Sequence, residues 1–223
     1  DHAGLIINPT PHKVVMSRVA PLNASRGVAL TQQAKAYADD IDFIKQHRSG
    51  VKLDVSLSSR ELLAIDVPKE CLDGAYALTI DAEGIKIVAA DDNGVFYALQ
   101  TLRQIVESPI AKGASLPTLS IVDWPDLQYR GVVEGFYGEP WSHATRLSLI
   151  DMYGRYKMNY YIYGPKDDPY HHGAGCYELY PADKAAELKK VVAHARKNHV
   201  RFFWAIHPAN TIDWYQQDGR PHM

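Results

Sequence analysis

Cysteine is almost absent from this chain: Cys71 and Cys176 are the only two in 223 residues, and they lie far apart in sequence. Two cysteines build neither a disulfide framework nor a thiolate zinc site. A dominant charge is missing as well. The formal net charge of −2 leaves no basic excess to attract phosphate backbones or anionic lipid, so neither nucleic acid nor a membrane surface is an expected partner. No apolar run approaches the ~20 residues of a bilayer-spanning helix. Histidines at metal-binding spacing are lacking too. His171-His172 and His194/His199 do not have the i, i+4 separation of a helical zinc pair, and no metal or other cofactor is expected.

What the chain does have is core-forming material. Hydrophobic residues make up 46% and charged residues 22%, the composition of a globular protein. The 14 tyrosines and 4 tryptophans hint at carbohydrate, because sugar rings present flat C–H faces to aromatic rings, although aromatics equally build cores. The first residue is Asp1, which reads as a processed or trimmed start. The closing Asp218–Met223 stretch is polar and turn-like.

Residues 1–126 read as a small α/β domain. A strand near Val14–Met16 is followed by Leu30, Ala34, Tyr37, Ile41 and Ile44 at helical spacing. Val51, Leu53 and Val55 alternate as a half-buried strand, as do Tyr76, Leu78 and Ile80, then Ile85 and Ile87. Asp81-Ala-Glu-Gly84 joins the last two runs as a hairpin, with Gly84 free to take positive φ. Val95, Ala98, Leu99 and Leu102 form the stripe of a helix beginning near Asn93. A last strand over Leu119–Val122 leads to Trp124-Pro125, a hinge.

Residues 127–223 have a different rhythm. The pattern predicts a strand over 131–136, a helix burying Leu149, Met152, Tyr153 and Tyr156, and a strand over 158–163. A loop rich in Gly, His and Tyr follows, then a helix opened by Pro181 and Asp183 with Leu188, Val191, Val192 and Ala195 as its stripe. A strand over 200–206 ends at His207-Pro208. Strands alternating with helices point to βα units and a parallel sheet. A (β/α)8 barrel takes about 250 residues, whereas about 95 follow position 128, room for roughly three such units. The expectation is either a small open sheet or a truncated barrel.

Two strand ends are candidates for chemistry, since barrel active sites sit at the C-terminal ends of strands. The first is Glu134-Gly-Phe-Tyr-Gly138 with Pro140-Trp141. Gly135 lets a ligand reach its backbone carbonyl, and Tyr137 and Trp141 offer a rim; equally, the glycines relieve crowding and the aromatics are core. The second is Tyr161-Ile-Tyr-Gly-Pro-Lys-Asp-Asp-Pro-Tyr170. Lys166, on a loop stiffened by Pro165 and Pro169, is either an ammonium donor to a sugar hydroxyl or a solvated, paired lysine. Asp167-Asp168 are adjacent on an extended stretch, so they point apart and suit loop capping better than a catalytic pair. His207, at the third strand end, lines a pocket or caps the strand.

Residues 129–214, from Tyr-Arg-Gly-Val-Val-Glu-Gly-Phe-Tyr-Gly through Tyr-Gly-Pro-Lys-Asp-Asp-Pro-Tyr to Trp-Ala-Ile-His-Pro-Ala-Asn, resemble the opening of the catalytic barrel of glycoside hydrolase family 84. Residues 74–126, with Gly94-Val-Phe-Tyr-Ala-Leu-Gln-Thr-Leu102 and Asp123-Trp-Pro, resemble the accessory α/β domain preceding the barrel in that family and in family 20 hexosaminidases. The resemblance implies an accessory domain over 1–126 and the first three βα units of a truncated TIM barrel over 127–223. It implies a retaining, substrate-assisted β-N-acetylglucosaminidase acting on N-acetylglucosamine-containing glycans or glycoproteins, in a secreted or periplasmic setting. In the family, two consecutive aspartates at the end of the fourth strand act on the leaving oxygen and the acetamido group. That strand has no counterpart in these residues, so no catalytic residue is assigned and the chain alone is expected to be inactive. Gly135, through its carbonyl, and Lys166 match positions that contact hydroxyls of the terminal sugar; Tyr137 matches a pocket-lining position. Alternatives are a family 20 hexosaminidase fragment and a non-catalytic glycan-binding or inert remnant. A part-barrel also exposes a strand edge, a route to self-association.

Overall fold

The computed structural model describes residues 4–17, 22–23, 29–47, 52–111, 115–171 and 178–205. Val51, His172, Cys176, Ile206, His207 and the C-terminal stretch lie outside the described residues. The chain divides into two compact units, Asp1–Gln128 and Tyr129–Met223.

The first unit runs β1 (Lys13–Met16), β2 (Leu22–Asn23), β3 (Ala29–Leu30), α1 (Ala38–His47), β4 (Lys52–Leu57), α2 (Ser59–Leu63), β5 (Tyr76–Ile80), β6 (Ile85–Ala89), α3 (Asp92–Glu107), β7 (Ser115–Leu116) and β8 (Leu119–Asp123). Six strands form a mixed sheet in the order β1-β8-β5-β6-β4-β3. The hairpin lies where the alternation predicts it, with Tyr76 opposite Ala89 and Ile80 opposite Ile85. Its turn requires glycine twice over. Gly84 has φ +148°, and a Cβ there would stand 2.5 Å from the Lys52 carbonyl oxygen.

α3 lies against this sheet. Asp91 caps it by accepting the Gly94 N–H at 2.7 Å. Val95, Ala98, Leu99 and Leu102, the predicted stripe, are fully buried with Tyr76, Leu78 and Ile80 in one core. On the opposite face Leu62 of α2, Val67, Val88 and Val122 form a smaller cluster with Trp124 beside it. The end of β8 is fixed by a buried carboxylate: Asp123 accepts from Tyr76 Oη at 3.0 Å and pairs with His12 Nδ1 at 3.0 Å. His12 in turn stacks on Trp124, ring centroids 4.0 Å apart.

Leu30 corrects the sequence reading. Its spacing to Ala34, Tyr37 and Ile41 predicts a helix, yet it lies in β3, parallel to β4 and opposite Leu53. Ladder bonding to β4, continued by Thr31 N–H to the Leu53 carbonyl at 3.2 Å, overrides the local period, and the helical path starts at Ala34.

The second unit runs β9 (Gly131–Glu134), α4 (His143–Arg155), β10 (Tyr160–Tyr163), α5 (Ala182–Lys197) and β11 (Arg201–Trp204). The three strands are parallel in the order β11-β10-β9, with Gly131 opposite Tyr160 and Tyr160 opposite Arg201. These are successive βα units, the partial-barrel arrangement expected. Ile150, Tyr153, Tyr161, Tyr163, Val191 and Ala195 pack between strands and helices. The other sheet face is apolar and open: Val133 is 58% and Phe203 39% exposed.

The α4 stripe needs a second correction. Its buried residues are Arg146, Ile150, Tyr153 and Gly154, whereas Met152 and Tyr156 are exposed. An arginine on the inner face shifts the stripe, because a buried carboxylate on β9 waits for it.

Candidate active site

The strand ends of the second unit bring two of the candidate residues onto the loops that follow neighbouring strands. The β9–β10 ladder continues past both strands: Gly164 N–H donates to the Glu134 carbonyl at 3.0 Å and Lys166 N–H to the Phe136 carbonyl at 3.1 Å. Successive carbonyls of an extended strand point to opposite sides. Glu134 and Phe136 face β10, so the Gly135 carbonyl is directed away from it. Gly135 also continues the Gly131, Val133 face that the helices leave open. A Cβ on Gly135 would meet Val133 Cγ1 at 3.1 Å, so crowding by other elements is not what requires glycine there. Lys166 is half-buried at the end of β10, and Tyr137 is 83% exposed. Trp141 is half-buried, tilted against Phe136 with centroids 5.3 Å apart. His171, unlike an open-loop histidine, is buried beside Gly164, where a Cβ would stand 2.8 Å from its ring.

Sequence reasoning missed what holds the two loops. Glu134 is fully buried and pairs with Arg146 through two bonds, Nε to Oε2 at 2.9 Å and Nη2 to Oε1 at 2.8 Å. Tyr161 Oη also donates to Glu134, and Trp141 N–H donates to Oε1 at 3.1 Å, pulling the 135–141 loop back onto its own strand end. Burial opposes the Arg146 charge, but the hydrogen bond and charge of Glu134 prevail and hold the guanidinium protonated. Burial, then the Glu134 contact, pushes the Tyr161 hydroxyl well above its ordinary range. The signal in the sequence is a carboxylate amid Val-Val and Phe, followed twelve positions later by an arginine in an apolar stripe.

The stretch expected to be extended is a turn, closed by the Asp168 N–H on the Pro165 carbonyl at 3.2 Å, and from it Asp167 and Asp168 reach different partners. Asp167 Oδ2 accepts the Gly138 N–H at 2.9 Å, tying the first loop to the second. Asp168 is fully buried and accepts from Tyr163 Oη, from Tyr180 Oη at 3.1 Å and from Tyr170 N–H at 3.0 Å, with Lys184 Nζ at 3.4 Å. Arg146 lies 4.9 Å from the centre of the Tyr163 ring, so the two carboxylate clusters adjoin.

Burial pushes the Asp168 carboxyl upward, but the donors from Tyr163 and Tyr170, then the Lys184 charge, outweigh it and hold it below the usual carboxylate value. Its contribution is therefore fully present above the unfolded value near 3.9 and is lost as pH falls through the lower folded value. Asp168→Asn should lower stability by about 1–3 kcal/mol at pH 7 and show a smaller deficit at about pH 2. Urea unfolding at the two pH values measures both.

Comparison with known proteins places these units. The family model described as beta-N-acetylglucosaminidase matches residues 130–222, and that described as glycosyl hydrolase family 20, domain 2, matches residues 5–124. The protein O-GlcNAcase of Rattus norvegicus is 40% identical over 82 residues, 37% of this chain and 9% of that protein. The N,N'-diacetylchitobiase of Vibrio harveyi is 32% identical over 154 residues, 68% of this chain and 17% of that protein. The solved structure of CpGH84B superposes with a TM-score of 0.77 at 32% identity, covering 96% of this chain and 39% of that one. The chain thus spans less than a fifth of the length of these curated relatives.

Proposed function

Because the chain belongs to the glycosyl hydrolase family 20, domain 2, family over residues 5–124 and is family 84-like β-N-acetylglucosaminidase over 130–222, we propose that the whole protein removes terminal N-acetylglucosamine from glycoconjugates. The reaction proceeds with retention and uses the substrate as its own nucleophile. The 2-acetamido oxygen attacks the anomeric carbon while the glycosidic oxygen leaves with a proton from a general acid. Water then opens the oxazoline and restores the sugar. Family 20 catalysis is less well supported, since the family 20 match stops at residue 124 and the strand-end motifs fall in the other.

The observation that carries the reading is the paired strand end. The Gly135 carbonyl, turned away from β10, accepts a sugar hydroxyl proton, and Lys166 in the turn after β10 donates to another hydroxyl. Tyr137 forms the pocket wall. Neither Asp167 nor Asp168 serves as general acid, the first being tied to Gly138 and the second enclosed by Tyr163, Tyr180 and Lys184. The open face with Val133 and Phe203 and the edges of β9 and β11, which have no ladder partner among the described residues, give the isolated chain a route to self-association, which dilution followed by light scattering would reveal.

The 223-residue chain should give no turnover of an aryl N-acetyl-β-glucosaminide, and genuine turnover would show that an acid resides within it. It should bind N-acetylglucosamine weakly, with a Kd of about 5–40 mM from two or three hydrogen bonds of about 1 kcal/mol each. Lys166→Ala should weaken that binding about 10-fold. Binding unaffected by the substitution would remove Lys166 from the site.

A further inference from the structure

The contacts of the consecutive aspartates carry the proposed sugar site one step further. A pair of loops contacts one sugar productively only if their separation is fixed to within about 0.5 Å. Gly135 and Lys166 lie on different loops joined at the strand ends by the Lys166 N–H to Phe136 carbonyl bond at 3.1 Å, and beyond that bond the loops are held by side chains. Asp168 fixes the second loop to the rest of its unit, receiving Tyr163 of β10, Tyr180 ahead of α5 and Lys184 within α5. Within the loop it receives the Tyr170 N–H, and its own N–H donates to the Pro165 carbonyl at 3.2 Å. Asp167, its side chain pointing the other way, reaches the first loop at Gly138, which has φ +100°.

We propose that Asp167 and Asp168 form a divided positioning pair, Asp168 anchoring the Lys166 loop and Asp167 clamping the Gly135 loop to it. This rests on the sugar-contact reading of Gly135 and Lys166 for its purpose, but its mechanical part stands on the hydrogen bonds alone. Neither aspartate touches the sugar. Both acids sit in one tight turn, residues 165–168, closed by the Asp168 N–H on the Pro165 carbonyl, and from it one side chain enters the core while the other reaches the next loop.

Asp167 offers the cleaner test, because it is exposed and its replacement leaves the core intact. An asparagine carbonyl still accepts the Gly138 N–H, whereas alanine cannot. In the ligand-free 223-residue chain, D167A should speed hydrogen exchange at the Gly138 amide about 10-fold and shift the backbone resonances of Gly135 and Lys166. D167N should restore both. N-acetylglucosamine should bind D167A about 5- to 10-fold more weakly and D167N within about 2-fold of the parent chain. Unmoved Gly138, Gly135 and Lys166 resonances in D167A would overturn the proposal, and so would D167N behaving like D167A. If D167A disturbs the loops as stated but no form of the chain binds the sugar, the clamp stands and the sugar reading fails.

Discussion

Glu134→Ala should destabilise the second unit by about 3–5 kcal/mol, the cost of breaking a buried ion pair from one side. The substitution leaves the Arg146 side chain, only 9% exposed, without its two carboxylate bonds. It also removes the acceptor of Tyr161 Oη and of Trp141 N–H, so the helix face and the first loop lose their shared anchor together. Domains are stable by only about 5–15 kcal/mol, and a loss of this size would leave the second unit largely unfolded under mild denaturant. The expected readout is collapse of the amide signals of residues 129–205 while those of the first unit persist. The penalty comes chiefly from the stranded charge. Glu134→Leu combined with Arg146→Met should therefore be at least about 2 kcal/mol more stable than the sum of the two single substitutions predicts. Simple additivity would show that Arg146 finds water or another acceptor when Glu134 is gone.

Gly131→Ala should be nearly as damaging, by about 3 kcal/mol, at the upper end of overpacking costs. A Cβ on Gly131 would stand 1.8 Å from the Tyr160 carbonyl oxygen and 2.5 Å from its carbon, both backbone atoms of the paired strand. Flexible side chains yield to an added methyl, but a ladder partner yields only by separating the strands. Asn159 N–H donates to the Arg130 carbonyl at 2.8 Å just before this point, so separation would open the start of the β9–β10 ladder. Gly135→Ala is the contrasting case, since its nearest neighbour is the Val133 side chain at 3.1 Å. That variant should fold, with a thermal midpoint close to the parent. A Gly131→Ala chain of unchanged midpoint would show the two strands are further apart than described.

Much of the fold was legible because the patterns were local. Tyr76, Leu78 and Ile80 alternate, Gly84 sits where the turn demands it, and the α3 stripe repeats at helical spacing. Each of these signals is complete within about ten residues, and the structure agrees with them. Leu30 was misread because its fate depends on β4, more than twenty residues on, and a parallel partner leaves no trace in the neighbouring sequence. The α4 stripe was misplaced for a related reason. Arg146 counts as polar by composition, but Glu134 makes it an inner-face residue, and only the folded register brings the two together. The strand ends stood out as motifs, so Gly135, Tyr137 and Lys166 could be named from the sequence and their resemblance to a family. The supports could not. Glu134 looked like one acidic residue in a glycine-rich stretch, and Asp168 like one of a capping pair, whereas Asp168 collects donors from a strand, a loop and a helix.

The most direct test of the account is to titrate the isotope-labelled 223-residue chain with N-acetylglucosamine and map the perturbed amides. The account predicts fast-exchange shifts clustered at Gly135, Tyr137 and Lys166, with a Kd of about 5–40 mM. Shifts confined to the first unit, or none at those three residues, would contradict it.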